Sequence, residues 1–372
     1  MSNTYPDEVC LAWLAGCGLP LKTMQVLLET FDTPYDLLCT LREKAEDLIS
    51  HGIDPTVVRK MRARAEEESL EVLERTLNKY SIRVIQRRDT EYPKKLRNIS
   101  DAPAILFLRG NTDCLNRKTV AMVGSRNASV KGLNVTGKIA KELSEHGVCV
   151  VSGLADGIDS AAHRGCLKGG TPTVAVMGCG LDRVYPASNR ALYEDILEGD
   201  GLLISEYAPG EKPLGWHFPV RNRIISGLSD AVLMMECRVR SGSMTTVRHA
   251  LDQGKDVYAY PGESGTPWSE GAHQLLREGA GYFTTAADIL EDLGCLDKNE
   301  NSVQNNLCSK QESMLTSAQQ KTVDALRNGM QSFDQLLAAT GAETAELSVT
   351  LTYLQLKGIV TAYPGKQYEL TV

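Results

Sequence analysis

VAMVGSRNASVKGLNVTGKIAKELSEHGVCVVSGLADGIDSAAH, residues 120–163, is the stretch that decides the fold. It begins with a short β-branched run that ends in the small-residue turn Gly124-Ser125-Arg126. Apolar residues at four-residue spacing follow, and a second apolar run at 148–151 leads into another polar turn. Strand, glycine turn, helix and strand again predict a βαβ unit of a parallel sheet. Because ligands of such sheets bind beyond the carboxyl ends of the strands, we expect function at this edge.

The pattern continues outward from this unit to residue 293. Further strands are predicted at 173–177, 202–205, 231–235 and 257–259, with helices at 159–167, 189–197, 222–228 and 243–253. Near-continuous apolar strands joined by helical crossovers predict an α/β fold with a Rossmann-like parallel sheet covered on both faces. Two more strand candidates, at 82–86 and 104–108, are expected to extend its edge.

The flanking regions differ in character from this core. Residues 1–80 are predicted to be wholly helical, and the turn Gly16-Cys17-Gly18 resembles those of SAM-like and helix-hairpin-helix modules, although a plain helical interaction domain fits equally. The predicted division is therefore a helical domain at 1–80, the Rossmann-like core at 81–295, a polar linker at 296–315 and a winged-helix domain at 316–372.

The winged-helix prediction rests on three short helices, at 318–327, 333–340 and 345–357, and a hairpin at 359–370. Its charged residues are four basic and five acidic: Lys321, Arg327, Lys357 and Lys366 against Asp324, Asp334, Glu343, Glu346 and Glu369. The expected recognition helix opens with two glutamates, which make a poor surface for a phosphate backbone. We therefore favour a protein partner for this domain.

Bulk composition excludes several classes of protein. The 372 residues carry a net charge of −7, which argues against a coat of positive charge for sliding on duplex DNA but not against a local basic groove. No run approaches the roughly 20 apolar residues of a membrane span, and MSNTYPDEVC lacks the pattern of a secretory signal. The ten cysteines form no C-x-x-C pair, and Cys149, Cys179 and Cys237 fall in or beside predicted buried strands. We expect a cytoplasmic protein without a membrane partner.

Two polar turns carry candidate binding residues. In Gly124-Ser125-Arg126, small residues let backbone N–H groups approach a phosphate and arginine offers a bidentate fork; the alternative is a strand-to-helix turn with a surface arginine. The second turn begins at Ser152-Gly153 and includes Gly157. Asp159 and His163 there form either an acid–base pair or, as we prefer, a helix cap and a histidine bonded to a loop.

Residues 217–223, HFPVRNR, are the most informative segment. Arg221 and Arg223 flank Asn222 at a predicted helix start, and Phe218 and Trp216 lie just upstream. Arginines hold phosphates, and aromatic faces stack on bases for about 1–3 kcal/mol each, so the combination suits single-stranded nucleic acid. The alternative is that the two aromatic residues only anchor the core or a loop.

Ser241-Gly242-Ser243 follows the strand predicted at 231–235 and opens another helix, which adds an anion-friendly turn to the same edge. Other motifs are missing from the sequence. It contains no G-x-x-x-x-G-K-S/T loop, no G-x-G-x-x-G turn after the first strand and no His/Cys/Asp cluster with metal-ligand spacing. We therefore predict no ATP, nicotinamide or metal cofactor.

Five motifs resemble those of one known family, the DNA-processing DprA/Smf proteins. They occur in the family's order and cover its core almost end to end: VGSRNAS at 123–129, SGLADGIDSAAH at 152–163, MGCGLDRVYPASN at 177–189, FPVRNRIISGLSD at 218–230 and SGSMTT at 241–246. The helical N-terminus and the small C-terminal domain also resemble the longer members.

The resemblance implies a cytoplasmic protein of natural transformation that binds and protects incoming single-stranded DNA and helps load RecA recombinase on it. It implies no enzymatic activity and a homodimer formed through the Rossmann-like domain, with dimer and recombinase contacts near residues 271–280. Carried over residue by residue, the family's DNA pocket corresponds here to Gly124, Ser125, Arg126, Phe218, Arg221, Asn222 and Arg223.

Rossmann-like nucleotide N-glycosidases of the cytokinin-activating type are the alternative. They place P-G-G-x-G-T-x-x-E where this chain has residues 241–249, SGSMTTVRH. The proline is absent, and His249 stands in place of the acid. Because a glycosidase needs a carboxylate to stabilise the developing oxocarbenium ion, this departure makes hydrolysis the weaker hypothesis.

Overall fold

A computed structural model describes residues 5–50, 52–65, 67–296, 316–327, 329, 331–357, 359–363 and 365–370. The chain divides into two compact units, Met1–Cys295 and Leu296–Val372, which are described one at a time. The predicted linker at 296–315 lies almost wholly outside the described residues.

The first unit begins with six helices: α1 (Asp7–Gly16), α2 (Leu21–Thr30), α3 (Pro34–Glu43), α4 (Ala45–Ser50), α5 (Pro55–Arg64) and α6 (Glu67–Tyr80). The start of α5 shows why the chain turns helical where it does. The side chain of Asp54 accepts a hydrogen bond from the backbone N–H of Thr56, and Pro55 occupies the first helical position, where its missing N–H leaves no bond unmade. For the described residues between 5 and 80, the helical prediction is confirmed.

A nine-stranded sheet with its crossover helices follows. The strands are β1 (Arg83–Gln86), β2 (Ile105–Gly110), β3 (Thr119–Val123), β4 (Cys149–Ser152), β5 (Val174–Met177), β6 (Leu202–Ser205), β7 (Ala231–Met234), β8 (Asp256–Ala259) and β9 (Gly281–Tyr282). The helices are α7 (Lys94–Arg97), α8 (Val130–Glu145), α9 (Ile158–Gly169), α10 (Arg190–Glu198), α11 (His217–Gly227), α12 (Met244–Asp252), α13 (Glu270–Arg277) and α14 (Ala286–Asp292).

The strand order is β1-β2-β6-β5-β4-β3-β7-β8-β9. The run from β6 to β9 is parallel. β1 and β2 extend one edge, as the sequence predicts, and they join it antiparallel. The chain works outward from β3 through β4 and β5 to β6, then returns to lay β7 against the other side of β3. This reversal, between β3 and β7, is a switch point of the kind at which open α/β sheets bind ligands. Because β3, β4 and β5 are neighbours, the turns that follow them lie side by side.

Each face of the sheet has its own core. One buried cluster joins the N-terminal helices to the sheet, with Leu14, Leu38 and Met61 from the helices and Phe107 and Leu203 from strands. A second cluster covers the opposite face beneath α11, α12 and α13. Because helices and strands share the first cluster, the predicted boundary at residue 80 falls inside one compact unit. The predicted buried thiols Cys149, Cys179 and Cys237 are buried.

The prediction that a helix starts at Asn222 is wrong. Helix α11 starts at His217, so Phe218, Arg221, Asn222 and Arg223 all lie within it. Pro219 is the reason for the error, because a proline usually marks a helix boundary. Here it occupies the first turn, where backbone N–H groups have no intrahelical partner and the ring is tolerated.

The second unit has the predicted winged-helix architecture. It contains α15 (Ser317–Leu326), β10 (Gln331–Ser332), α16 (Phe333–Thr340), α17 (Thr344–Leu356), β11 (Val360–Tyr363) and β12 (Gln367–Leu370). The strands form an antiparallel sheet in the order β10-β12-β11. Leu347, Leu351 and Leu354 of α17 pack in its core, as their spacing predicts. In neither unit does any described helix have the length and apolar character to cross a membrane.

Replacing Leu14 with Ala tests whether the N-terminal helices and the sheet share one core. Leu14 is fully buried in the common cluster, so we expect the free energy of unfolding to fall by about 2–5 kcal/mol. Urea unfolding followed by far-UV circular dichroism measures the change. Val26→Ala on the exposed side of α2 is the control and should stay within about 0.5 kcal/mol. A separate early transition of the helices, with the main transition unmoved, would contradict the shared core.

Candidate nucleic-acid interface

A small pocket lies at the carboxyl edge of the sheet, and we call it the aromatic pocket. It is lined by Arg126, Gly153, Ala155, Asp156, Tyr185, Pro186, Phe218 and Arg221. These residues come from the turns after β3, β4 and β5 and from the first turn and a half of α11. The structure thus brings together residues that lie almost 100 positions apart in the chain. The pocket lies at the carboxyl ends of the parallel strands, which is where the sequence predicts a binding site.

Phe218 is the centre of the aromatic pocket. The guanidinium carbon of Arg126 lies 5.3 Å from the centroid of its ring, and that of Arg221 lies 5.9 Å away. Tyr185 stacks against the same ring, with centroids 5.4 Å apart and planes inclined by 30°. Arg126 and Tyr185 are exposed, while Phe218 is half-buried. A cation and two rings at one accessible place are the groups that single-stranded nucleic acid requires.

Arg221 lies behind the ring and is only 3% exposed. Its Nη1 donates to the backbone oxygen of Gly153 at 2.8 Å and also to that of Val176, so one guanidinium ties α11 to the ends of β4 and β5. Burial lowers the pKa of Arg221 from its usual value, and the carboxylate of Asp159 acts in the opposite direction. The prediction that Arg221 reaches out to a phosphate does not fit this burial, since the side chain first of all holds the edge together.

Asp159 and His163 do not form an acid–base pair. Asp159 accepts hydrogen bonds from the backbone N–H groups of Gly153 and Ala155 and shapes the loop before α9. His163 Nδ1 lies 2.8 Å from the hydroxyl of Thr173, which itself donates to Val150. Burial, with the nearby charge of Arg221 as a second cause, lowers the pKa of His163 to about 3. The predicted helix cap is wrong, because Asp159 bonds the loop before α9 and no side chain caps this helix. The predicted loop contact of His163 agrees with the structure, since Thr173 lies in the loop before β5.

Two glycines allow this close packing. A Cβ atom on Gly153 would lie 2.6 Å from Nη1 of Arg221, so a larger residue would displace the guanidinium. Gly157 has a φ of +81°, and a Cβ there would lie 2.3 Å from the backbone oxygen of Ser125. Only glycine tolerates both the positive φ and the close backbone contact at position 157. The turn after β4 is therefore pressed directly against the turn after β3.

The turn Gly124-Ser125-Arg126 is supported from beneath by Glu236, which follows β7. The backbone N–H of Ser125 donates to the backbone oxygen of Glu236 at 2.7 Å. The carboxylate of Glu236 accepts from the N–H and the hydroxyl of Ser129, at 2.8 Å and 2.6 Å, at the start of α8. The N-terminus of α8 therefore already holds a carboxylate, and the N–H of Ser125 is already bonded to a backbone oxygen, so neither is open to the predicted phosphate.

Arg223 and Ser152 also lack the predicted exposure. Two nitrogens of Arg223 donate to the two carboxylate oxygens of Glu206 at 2.8 Å and 2.7 Å, and its Nε donates to the backbone oxygen of Asp101. Burial alone would lower the pKa of Arg223, but the charge of Glu206 raises it above the usual value. The hydroxyl of Ser152 donates to the backbone oxygen of Met122 inside the sheet. Both side chains are structural, and neither is presented to a ligand.

The turn Ser241-Gly242-Ser243 lies beside α11. The amide nitrogen of Asn222 is 3.4 Å from the backbone oxygen of Gly242, and the two serine hydroxyls are bonded to each other at 2.7 Å. Asn222 and this turn therefore form a second polar group on the same edge. Within the described ranges, no three side chains of metal-ligand type converge there or elsewhere.

Sequence reasoning missed the roles of Tyr185 and Glu236. Tyr185 lies inside the motif at 177–189, where an aromatic residue before a proline in a loop was a visible signal of an exposed ring. Glu236 also left a signal, because an acidic residue directly after a buried strand must find hydrogen-bond donors. Neither signal identifies the partner residue, which is distant in sequence in both cases: Phe218 for Tyr185 and Ser129 for Glu236.

The exposed face of α17 in the second unit carries no basic residue in its described part. Its exposed side chains are Ala345, Glu346, Ser348, Val349, Thr352 and Tyr353, together with Thr344 at the start. Lys357 follows the helix and lies over the ring of Tyr353. A helix of this composition offers little to a phosphate backbone, so the contacts agree with the prediction of a protein partner without testing it.

Comparison with known families gives two matches along the chain. Residues 83–294 match the family model of the DNA recombination-mediator protein A, and residues 309–366 match the DprA winged helix domain. The first match covers more than half of the chain and includes every residue of the aromatic pocket.

Individual relatives agree with these matches. The DNA processing protein DprA of Streptococcus pneumoniae is 46% identical over 204 residues, which cover 55% of this chain and 72% of that protein. An X-ray structure of DprA from the same organism superposes with a TM-score of 0.66 at 37% identity, over 77% of this chain and 98% of that one. DNA processing protein A from Helicobacter pylori, whose solved structure concerns its single-stranded DNA binding mode, superposes with a TM-score of 0.52 at 28% identity, over 57% of this chain and 96% of that one.

Replacing Arg223 with Ala is expected to destabilise the first unit by about 3–5 kcal/mol, because the carboxylate of Glu206 would stay largely buried without its partner. Chemical unfolding followed by circular dichroism measures this. Arg126→Ala removes the same charge from an exposed position of the same edge and should leave the midpoint unchanged. Equal midpoints for the two variants would contradict the structural role of Arg223.

The pKa of His163 predicts a pH dependence of stability. The folded-state pKa of about 3 lies below the ordinary value of 6.5, so the unfolded chain binds more protons between these values. The free energy of unfolding should therefore fall as the pH drops below 6.5, by up to about 1.4 kcal/mol per pH unit from this residue. His163→Asn keeps a donor near Thr173 and should flatten the slope between pH 7 and 5 in urea unfolding. His146→Asn, at an exposed site, is the control, and an unchanged slope in His163→Asn would refute the assignment.

Proposed function

This chain belongs to the DNA recombination-mediator protein A family, also called DprA or Smf, and from that premise we propose that it binds single-stranded DNA in the aromatic pocket. One observation carries the proposal: the exposed guanidinium of Arg126 lies 5.3 Å from the ring of Phe218 at the carboxyl edge of the sheet. The solved relative from Helicobacter pylori has a single-stranded DNA binding mode, and it supports the same class of ligand for this chain.

The aromatic pocket suits an unpaired strand better than a duplex. Phe218 and Tyr185 offer ring faces, and a base stacks on such a face only when it is not enclosed in a double helix. Arg126 supplies a charge for a neighbouring phosphate, and every base has a face, so we expect little sequence preference. Affinity should fall with salt, with a slope of about −0.7 in log K against log salt for each phosphate contacted.

We propose that the chain acts by binding and has no catalytic role at this edge. Asp159 and Glu236, packed against the pocket turns, each hold backbone N–H groups, so neither is placed as the carboxylate of a glycosidase. The third acidic side chain, Asp156 in the pocket lining, accepts a hydrogen bond from the hydroxyl of Ser188. At the position of the glycosidase acid this chain has His249 on α12. These observations favour binding over the N-glycosidase alternative.

The proposed biological role follows from the family. The chain would bind incoming single-stranded DNA in the cytoplasm during natural transformation, protect it and help load RecA recombinase. Two copies would associate through the Rossmann-like domain, with α13 (Glu270–Arg277) at or near the contact. The winged-helix unit would contact a protein through the exposed face of α17, whose described part carries no basic residue. Protection of the strand and loading of the recombinase both require DNA binding, so the test addresses that step.

Arg126→Ala is expected to weaken binding of the full chain to a fluorescent oligothymidylate, because the variant loses one phosphate contact and the cation beside Phe218. A loss of about tenfold at low salt and a salt slope closer to zero by about 0.7 are the expected results in fluorescence anisotropy titrations. The weakening should be the same for oligonucleotides of different sequence.

Lys168→Ala is the matched control for this experiment. Lys168 is exposed in the last turn of α9, at the opposite edge of the sheet, so the variant changes the net charge equally without touching the pocket. Equal affinities of the Arg126 and Lys168 variants would remove the aromatic pocket from the proposal. Release of free base from nucleoside monophosphates by the unmodified chain would favour the glycosidase alternative.

A further inference from the structure

Trp216 is a large ring left in solvent next to the aromatic pocket. Trp216 is 63% exposed and immediately precedes the first residue of α11, two residues before Phe218. The chain has three tryptophans, of which Trp13 is 1% exposed and Trp268 is partly buried with its indole nitrogen bonded to the backbone oxygen of Asn127. Trp216 is thus the tryptophan with a ring available to a ligand.

The exposed ring is held on a rigid support. The ring of His217 meets it edge-on, with centroids 4.1 Å apart and planes at 84°. His217 in turn stacks on Tyr207, with centroids 3.8 Å apart and planes inclined by 18°, and its Nδ1 bonds the backbone oxygen of Gly178. His217 is buried, so the stack is anchored at the ends of β5 and β6. A ring fixed in this way loses little conformational entropy when a flat ligand lies on it.

The position of Trp216 continues the line of the aromatic pocket. Strands β3, β4, β5 and β6 are successive neighbours in the sheet. Arg126 follows β3, the ring of Phe218 lies against Gly178 at the end of β5, and the support of Trp216 reaches Tyr207 beyond β6. Neighbouring strands are about 4.8 Å apart, so an unpaired strand of a few nucleotides can pass from Arg126 to Trp216.

We propose that Trp216 is a second base-stacking platform and that the bound strand runs along the carboxyl edge from Arg126 and Phe218 toward β6. The occupant is an unpaired base of the same strand, lying on the open face of the indole. The inference rests on the proposed single-strand binding, and it adds a direction for the strand and a further contact residue.

The experiment compares an oligothymidylate with a strand of equal length whose nucleotides are abasic, so that phosphates remain and bases are removed. Trp216→Leu in the full chain is expected to lose about tenfold in affinity for the oligothymidylate, the size of one base–aromatic stack. On the abasic strand the same variant should bind as tightly as the unmodified chain. Trp216→Phe keeps a ring and should stay within about threefold on both strands.

The possible outcomes distinguish failure of the Trp216 platform from failure of the proposed single-strand binding. If Trp216→Leu binds the oligothymidylate normally while Arg126→Ala is weakened, the platform is absent and the single-strand function stands. An equal loss on both strands also overturns the platform, because stacking requires a base. If the unmodified chain does not bind the oligothymidylate, the proposed function itself fails.

Tryptophan fluorescence gives a second readout on the same proteins. Stacking of a base should quench Trp216, so addition of oligothymidylate should dim the emission of the unmodified chain and of Trp268→Phe to a similar extent. Trp216→Phe should lose the quenching, since Trp13 is buried away from solvent. Quenching that survives in Trp216→Phe and vanishes in Trp268→Phe would place the strand on the other side of Arg126 and overturn the inference.

Discussion

The buried guanidinium of Arg221 links the segments that form the carboxyl edge of the sheet. The guanidinium of Arg221 bonds backbone oxygens at the ends of two strands, with Asp159 as its counter-charge and Phe218 over its face. A buried charge costs several kcal/mol unless its hydrogen bonds and its countercharge are in place, so the surrounding turns have little freedom to rearrange. Gly153 must be glycine for the guanidinium to approach, and Phe218 is positioned because Arg221 is one helical turn away. The pocket is therefore a consequence of how the chain stabilises this charge.

Around that charge the edge divides into an inner and an outer set of residues. Arg223, Ser152 and Glu236 form the inner set, and each has its polar atoms bonded within the protein. Arg126, Tyr185 and Trp216 are exposed and form the outer set. Satisfied inner groups give rigidity, while the exposed groups remain free to meet a ligand. When a flexible strand binds to such a preformed surface, only the strand loses conformational entropy.

Much of this could be predicted from sequence. The β-branched runs, the glycine turns after them and the helical spacing give the parallel sheet, the edge of interest and the winged helix, because local patterns report which residues must be buried. The three arginines show where such reasoning stops. The motifs alone do not distinguish Arg126, Arg221 and Arg223. In the structure Arg126 is exposed, Arg221 bonds backbone carbonyl groups and Arg223 pairs with Glu206. These partners lie far away in sequence, and only the folded chain brings them together.

Glu236 has one more consequence. Sheets of this topology commonly hold a small metabolite by seating its phosphate on the helix that follows the first parallel strand, which here is α8. This chain keeps its own carboxylate on that helix, bonded to Ser129 and only 8% exposed. A free mononucleotide, with one phosphate to place, would have to displace it. An unpaired strand bound as proposed would lie along the exposed residues of this edge and would leave the carboxylate of Glu236 in place.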